Sequence, residues 1–151
     1  MITFRSADEI LDFAMEREEE AFTFYTDLSN SVKSAHMRGL FSDFAHEELG
    51  HKAKLLAVQK NKTLVPAQKK IMDLKIADYI VDIEPKPGME YQDALRLAMQ
   101  REKAAFKLYT DLAAAAEDDA VRSLFLYLAQ EEAKHKLHFE IEYDENVLNE
   151  D

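Results

Sequence analysis

Shifted by 84 residues, the chain falls on itself without a gap. Ala14 to Leu28 set against Ala98 to Leu112 gives ten identities in fifteen, including Met15/Met99, Glu18/Glu102, Ala21/Ala105 and Tyr25-Thr-Asp-Leu28/Tyr109-Thr-Asp-Leu112. Arg38 to Lys52 aligns with Arg122 to Lys136 at the same offset, matching Leu40-Phe41 to Leu124-Phe125 and Glu47-Glu48 to Glu131-Glu132. A repeat of this length with helical periodicity in both segments describes a duplicated helical hairpin. The fold must therefore be assembled from two copies of one unit.

The periodicity in each unit is that of long helices. Ser6-Ala-Asp-Glu9 reads as a capping box opening a first helix, with apolar positions at Ile10, Phe13, Ala14, Ala21, Phe24, Tyr25 and Leu28. The predicted helices run over about 6–31, 35–60, 89–116 and 119–143, and the second carries Leu40, Phe41, Phe44, Leu55 and Leu56 on one side. Asp118 or Asp119 caps the fourth helix, and the acidic end, 144 to 151, is expected to fray. All three prolines fall in 61–88, which reads as a crossover with one or two helical turns. Only three glycines occur in 151 residues, so helix is favoured over sheet. The expected architecture is one all-α domain, an antiparallel four-helix bundle of two duplicated hairpins joined by a long crossover.

Composition limits the chemistry. The formal charge of −11 would repel a phosphate backbone and disfavours nucleic acid as a partner. With no cysteine there is neither a disulfide nor a thiolate metal site. The amino terminus has no signal-like apolar run and no stretch approaches the length of a membrane span, so a cytoplasmic location is expected.

Histidine and glutamate supply what remains. Phe44-Ala-His-Glu-Glu-Leu-Gly-His51 and Leu128-Ala-Gln-Glu-Glu-Ala-Lys-His135 each place a glutamate three residues before a histidine. On a helix those positions are one turn apart, so a carboxylate and an imidazole reach one point, a donor set suited to a divalent transition metal. The repeat then selects partners from the first helix. Glu9, Glu16, Glu19 and Glu20 face Asp93, Gln100, Lys103 and Ala104, whereas Glu18 recurs as Glu102. The midpoints of Glu18/Glu48 and Glu102/Glu132 fall at the two predicted hairpin turns, so each pair stands level across its hairpin. Asp43-x-x-His46 mimics the motif but faces Tyr127 and Gln130 in the repeat and reads as surface. His138 faces Lys54 and reads as surface or a flanking group, and His36 as exposed; Glu47 and Glu131 read equally as supports of the site or as a salt-bridged face.

One glutamate from each of two helices and a Glu-x-x-His from each of two others is the ligand pattern of ferritin-like di-iron and di-manganese proteins. With Glu-x-x-Ala-x-x-x-Tyr at Glu18, Ala21, Tyr25 and again at Glu102, Ala105, Tyr109, the chain resembles the rubrerythrin branch of the ferritin-like superfamily. The resemblance implies that Glu18, Glu48, His51, Glu102, Glu132 and His135 ligate two iron ions, manganese or zinc being alternatives, with Glu48 and Glu132 bridging. It implies that Tyr25 and Tyr109 donate hydrogen bonds to the site carboxylates. It further implies reduction of peroxide or oxygen, an external electron donor such as a rubredoxin-like protein, and a homodimer, for which Ile71 to Ile83 offers a contact. Ferroxidase activity with iron storage or delivery is the alternative, and a bundle retained only as a binding module is a third. Two departures stand out. The four cysteines of a fused rubredoxin domain are missing from these residues, and Ala105 occupies the place of an extra carboxylate common in that family.

Overall fold

The computed structural model describes residues 2–83, 85–86 and 88–149. Its helices are α1 (Ala7–Ser31), α2 (Ala35–Asn61), a four-residue α3 (Gln68–Ile71), α4 (Tyr91–Ala115) and α5 (Asp119–Asn149), with 3₁₀ turns at Val65–Ala67 and Ile76–Tyr79. No strand is found among the described residues; an isolated bridge joins Thr3 to Lys75. The chain is all-α.

The helix ends follow from local chemistry. Ser6 Oγ accepts the Glu9 N–H at 3.1 Å and Ser34 Oγ accepts the Met37 N–H at 3.3 Å, each satisfying a donor the first turn cannot pair. At α5 the capping side chain is Asp118, whose Oδ1 accepts the Val121 N–H at 3.0 Å. Connections of only a few residues force α1 and α2, and likewise α4 and α5, to run antiparallel.

The chain divides into two compact units, Phe4–Asp73 and the chain from Leu74 onward joined by Ile2 and Thr3. In the first unit Ile10, Leu11, Ala14, Phe24, Tyr25 and Leu28 of α1 bury with Phe41, Phe44, Ala45, Leu55 and Val58 of α2. The rows are those of a helix burying one stripe. Leu56 departs from its expected place: it is 38% exposed, because the buried stripe of α2 passes through Leu55 and Val58 and leaves position 56 on the far side. Leu40 is half-buried for the same reason. In the second unit Leu95, Ala98, Leu108, Tyr109 and Leu112 bury with Phe125, Leu128 and Phe139.

The crossover is more ordered than its prolines suggest. Leu64, Ala67 and Ile71 are buried in the first unit, and Gln68 Oε1 accepts the Ala7 N–H at 3.3 Å. In the second unit Tyr79 is buried, and its hydroxyl donates to Asp111 Oδ2 at 2.7 Å while Lys107 Nζ lies 3.1 Å from the same oxygen. Ile71 and Tyr79 thus turn inward, and Met72, Ile80 and Ile83 stay exposed. The acidic end does not fray where expected: α5 is helical to Asn149, and Glu150 and Asp151 lie outside the described residues. Its last turns are fastened to α4. Tyr91 donates to Glu142 at 3.0 Å, and Arg96 donates twice to the Tyr143 hydroxyl, at 2.8 and 3.1 Å.

Burial first, and then the bond to Asp111, push the Tyr79 hydroxyl pKa above that of a free tyrosine. The contribution of this contact is therefore complete below about pH 10 and is lost only above it. Tyr79→Phe keeps the ring and removes the bond, so urea unfolding at neutral pH is expected to show a loss of about 1 kcal/mol. An unchanged midpoint would mean that the bond does not secure the crossover.

Candidate metal centre

Each hairpin carries its acid residues at one level. Glu18 stands 13 residues before the end of α1 and Glu48 stands 13 after the start of α2; Glu102 and Glu132 repeat the same counts on α4 and α5. At 1.5 Å per residue each is about 20 Å from its turn, so the two carboxylates of a hairpin meet across the helix pair. His51 and His135 follow their glutamates by one helical turn on the buried side.

In the first unit Glu18, Glu48 and His51 are 2%, 1% and 3% exposed. His51 Nδ1 lies 3.5 Å from Glu18 Oε2 and 3.4 Å from Glu48 Oε1. In the second unit Glu102, Glu132 and His135 are buried to the same degree, and His135 Nδ1 lies 3.5 Å from Glu102 Oε1. Within each triad one donor atom per residue falls inside a common 4.8 Å span. These separations are long for good hydrogen bonds. They suit two ligands of one ion: bonds of about 2.1 Å at an angle near 110° leave their donor atoms about 3.4 Å apart.

Electrostatics points the same way. Two carboxylates this close repel, and burial penalises each ionised form. A divalent cation removes both costs, and oxygen with imidazole nitrogen is a donor set that first-row transition metals accept. The residues present therefore fit a metal ion in each hairpin.

The remaining candidates lie elsewhere. Asp43 and His46 are exposed, with His46 Nδ1 2.8 Å from the Ser42 carbonyl, and His36 and His138 are exposed as well. Glu131 belongs to a salt-bridged face: it lies 3.0 Å from Lys134 Nζ and accepts from the Tyr127 hydroxyl at 3.2 Å. Glu16, Glu19 and Glu20 pair with Arg17, Lys52 and Arg17 near the surface. Tyr25 and Tyr109 are each 1% exposed. Tyr25 packs edge-on to Phe44 with ring centroids 6.2 Å apart, and Tyr109 stacks on Phe125 at 6.4 Å. Ala21 and Ala105, one turn from Glu18 and Glu102, bring no further donor. The Tyr79–Asp111 contact escapes sequence reasoning, because a tyrosine in a short apolar crossover gives no sign of the helix it will meet.

If Glu18 is there to bind metal, it costs stability when metal is removed. Glu18→Leu is expected to raise the stability of the chelator-treated protein by roughly 1–3 kcal/mol and to shrink the rise in Tm on adding ferrous or manganous ion. Destabilisation of the metal-free protein with the metal-induced rise intact would assign Glu18 a structural role.

Residues 9–143 match the family model of rubrerythrin. A solved structure from Thermotoga maritima, described as a ferritin-like diiron-carboxylate protein, superposes with a TM-score of 0.81 at 18% identity, over 97% of this chain and 99% of that one. No curated protein matches the sequence. The structural likeness shows a ferritin-like helical-bundle fold, and the family match, which spans nearly all of the described helices, shows that the chain belongs to the rubrerythrin family.

Proposed function

We propose that the protein is a di-iron carboxylate oxidoreductase that reduces peroxide, or oxygen, with electrons delivered from outside these residues. The observation that carries this reading is the duplicated, buried Glu/Glu/His triad, one in each hairpin. Glu18, Glu48 and His51 would hold one ion, and Glu102, Glu132 and His135 the other. The likeness to a solved structure described as a ferritin-like diiron-carboxylate protein supports a di-iron reading.

When bound, a ferrous pair supplies the two electrons that, with two protons, convert one peroxide to two waters. The chain's residues do the rest. Six buried side chains fix the ions, and the carboxylates balance their charge. The apolar rows of each hairpin keep bulk water from the ligands, which strengthens every charge interaction there. Tyr25 and Tyr109, two turns beyond Glu18 and Glu102 on the same helices, would orient the carboxylates if their hydroxyls donate to them. These residues hold no cysteine, and a rubredoxin-like protein is the kind of donor that would supply the electrons.

Ferroxidase activity with iron storage is the competing reading, and Ala105 favours giving it weight, since no extra carboxylate is available there for ligand exchange. Anaerobic reconstitution followed by metal analysis and stopped-flow spectroscopy separates the readings. The expected result is about two irons per chain, with the ferrous form oxidised faster by peroxide than by oxygen. Faster oxidation by oxygen, with further iron accumulated, supports ferroxidase. Stoichiometry near zero overturns both.

A further inference from the structure

Acidic residues make up 30 of 151, so a stretch of 24 residues would hold about five; Leu49 to Met72 holds none. The same stretch carries six lysines, Lys52, Lys54, Lys60, Lys62, Lys69 and Lys70, and no arginine. The rest of the chain is left with 13 cationic side chains against all 30 acidic ones. Lys52 Nζ reaches Glu19 at 3.2 Å. Lys60, Lys62, Lys69 and Lys70 are exposed, and none of them joins an ion pair among the described residues.

These four lie at the end of α2 and in the turns that follow, within the unit Phe4–Asp73. The Lys62 carbonyl accepts from the Val65 N–H and the Leu64 carbonyl from the Ala67 N–H. Such turns rise about 2 Å per residue, so Lys62 and Lys69 are about 14 Å apart along the chain. Leu64, Ala67 and Ile71 bury, which leaves Val65 and Met72, 44% and 46% exposed, among the lysines. Asp8 and Asp12 border the surface where Gln59 Nε2 donates to the Asp8 carbonyl and to Asp12 Oδ1, and Asp73 closes it. Lysine at a helix end complements the helix dipole, which accounts for Lys60. Lys62, Lys69 and Lys70 lie beyond α2, and the internal repeat shows that the hairpin does not require such charge. Residues 52–62 carry four lysines and no acid, whereas their counterparts at 136–146 carry one lysine and the acids Glu140, Glu142, Asp144 and Glu145.

We propose that the surface from Lys60 to Lys70 docks an acidic protein, and that this protein is the electron donor. Charge complementarity carries the first part; the second rests on the peroxide-reduction reading above. Lysine is a strongly hydrated point charge, suited to steering a loosely held partner rather than to gripping phosphate with a planar fork. A small apolar centre within a charged rim fits the short-lived redox encounters that bury less than about 1,200 Å². The position fits as well. His51 stands 10 residues before the end of α2 and 16 after its start, so the lysine end is the nearer one, about 15 Å along the helix. Each donor gives up one electron and is itself oxidised, so two dockings supply the two electrons that one peroxide consumes.

The iron-loaded, oxidised protein is to be reduced with a reduced rubredoxin of net negative charge, and rubredoxin oxidation followed by stopped flow. The second-order rate constant is expected to fall roughly tenfold between low and high sodium chloride. At low salt Lys60→Glu/Lys70→Glu should be slowed about tenfold and Lys60→Gln/Lys70→Gln by less, with circular dichroism and metal content unchanged. Lys33→Glu/Lys103→Glu makes the same change of net charge at exposed positions elsewhere and should be slowed less than about twofold. Reduced methyl viologen, a small cation, should reduce every form at a similar rate. Equal slowing of the two charge-reversed proteins, slowing of neither, a matching loss with methyl viologen, or no electron transfer from rubredoxin to the wild type would each overturn the proposal. Binding of the wild type to phosphatidylserine vesicles, with neither variant affecting rubredoxin, would give the surface to a bilayer instead. A ferrous form that peroxide fails to oxidise, measured without any donor, would overturn the functional reading and not the docking surface.

Discussion

Two carboxylates and an imidazole lie buried together within each hairpin, and the other features of the chain follow from that arrangement. An apolar pair of helices tolerates such groups only when something compensates their charge. The donor atoms of each triad are spaced as ligands of one ion are spaced, 3.4–3.5 Å from imidazole nitrogen to carboxylate oxygen. The surrounding core gives this geometry its rigidity. Tyr25 against Phe44, and Tyr109 against Phe125, fill the helix faces beyond the ligands with large rings of restricted rotamer.

Duplication explains why so much of this was legible in the sequence. A surface glutamate is free to drift between repeats, whereas a buried one constrained by a ligand or a core is not; recurrence alone does not mark burial, since Glu47 recurs as Glu131 and is exposed. That contrast separates Glu18 from Glu16, Glu19 and Glu20 on the same helix, and the structure finds Glu18 buried while the other three are near the surface. Helix existence was legible for the same reason, because two copies of one apolar row reinforce each other. Asp43 and His46 show the converse: a motif with the right spacing but no counterpart lies on the surface.

What could not be read depended on contacts between distant segments. The helical end of α5 is held by Tyr91, Gln92 and Arg96, some fifty residues earlier, and composition alone made it look like a solvated tail. Tyr79 gives no local sign that Asp111 will receive its hydroxyl. Leu56 shows that an apolar side chain does not by itself identify the buried face; a shift of one position on a helix turns a residue by about 100°. The exposed leucines of α5 pose the same problem in reverse. Leu126 and Leu137 are apolar residues of a helix that buries Phe125, Leu128 and Phe139, yet they are 49% and 55% exposed.

Each triad has the burial and donor set to hold a metal ion. Anomalous diffraction at the iron edge, from crystals grown anaerobically with ferrous iron, tests most directly whether it does so. One peak is expected in each hairpin, about 2.1 Å from the histidine Nδ1 and from a carboxylate oxygen of its triad. Density at the surface, as at Asp43 and His46, with none beside Glu18, Glu48 and His51 or beside Glu102, Glu132 and His135, would contradict it.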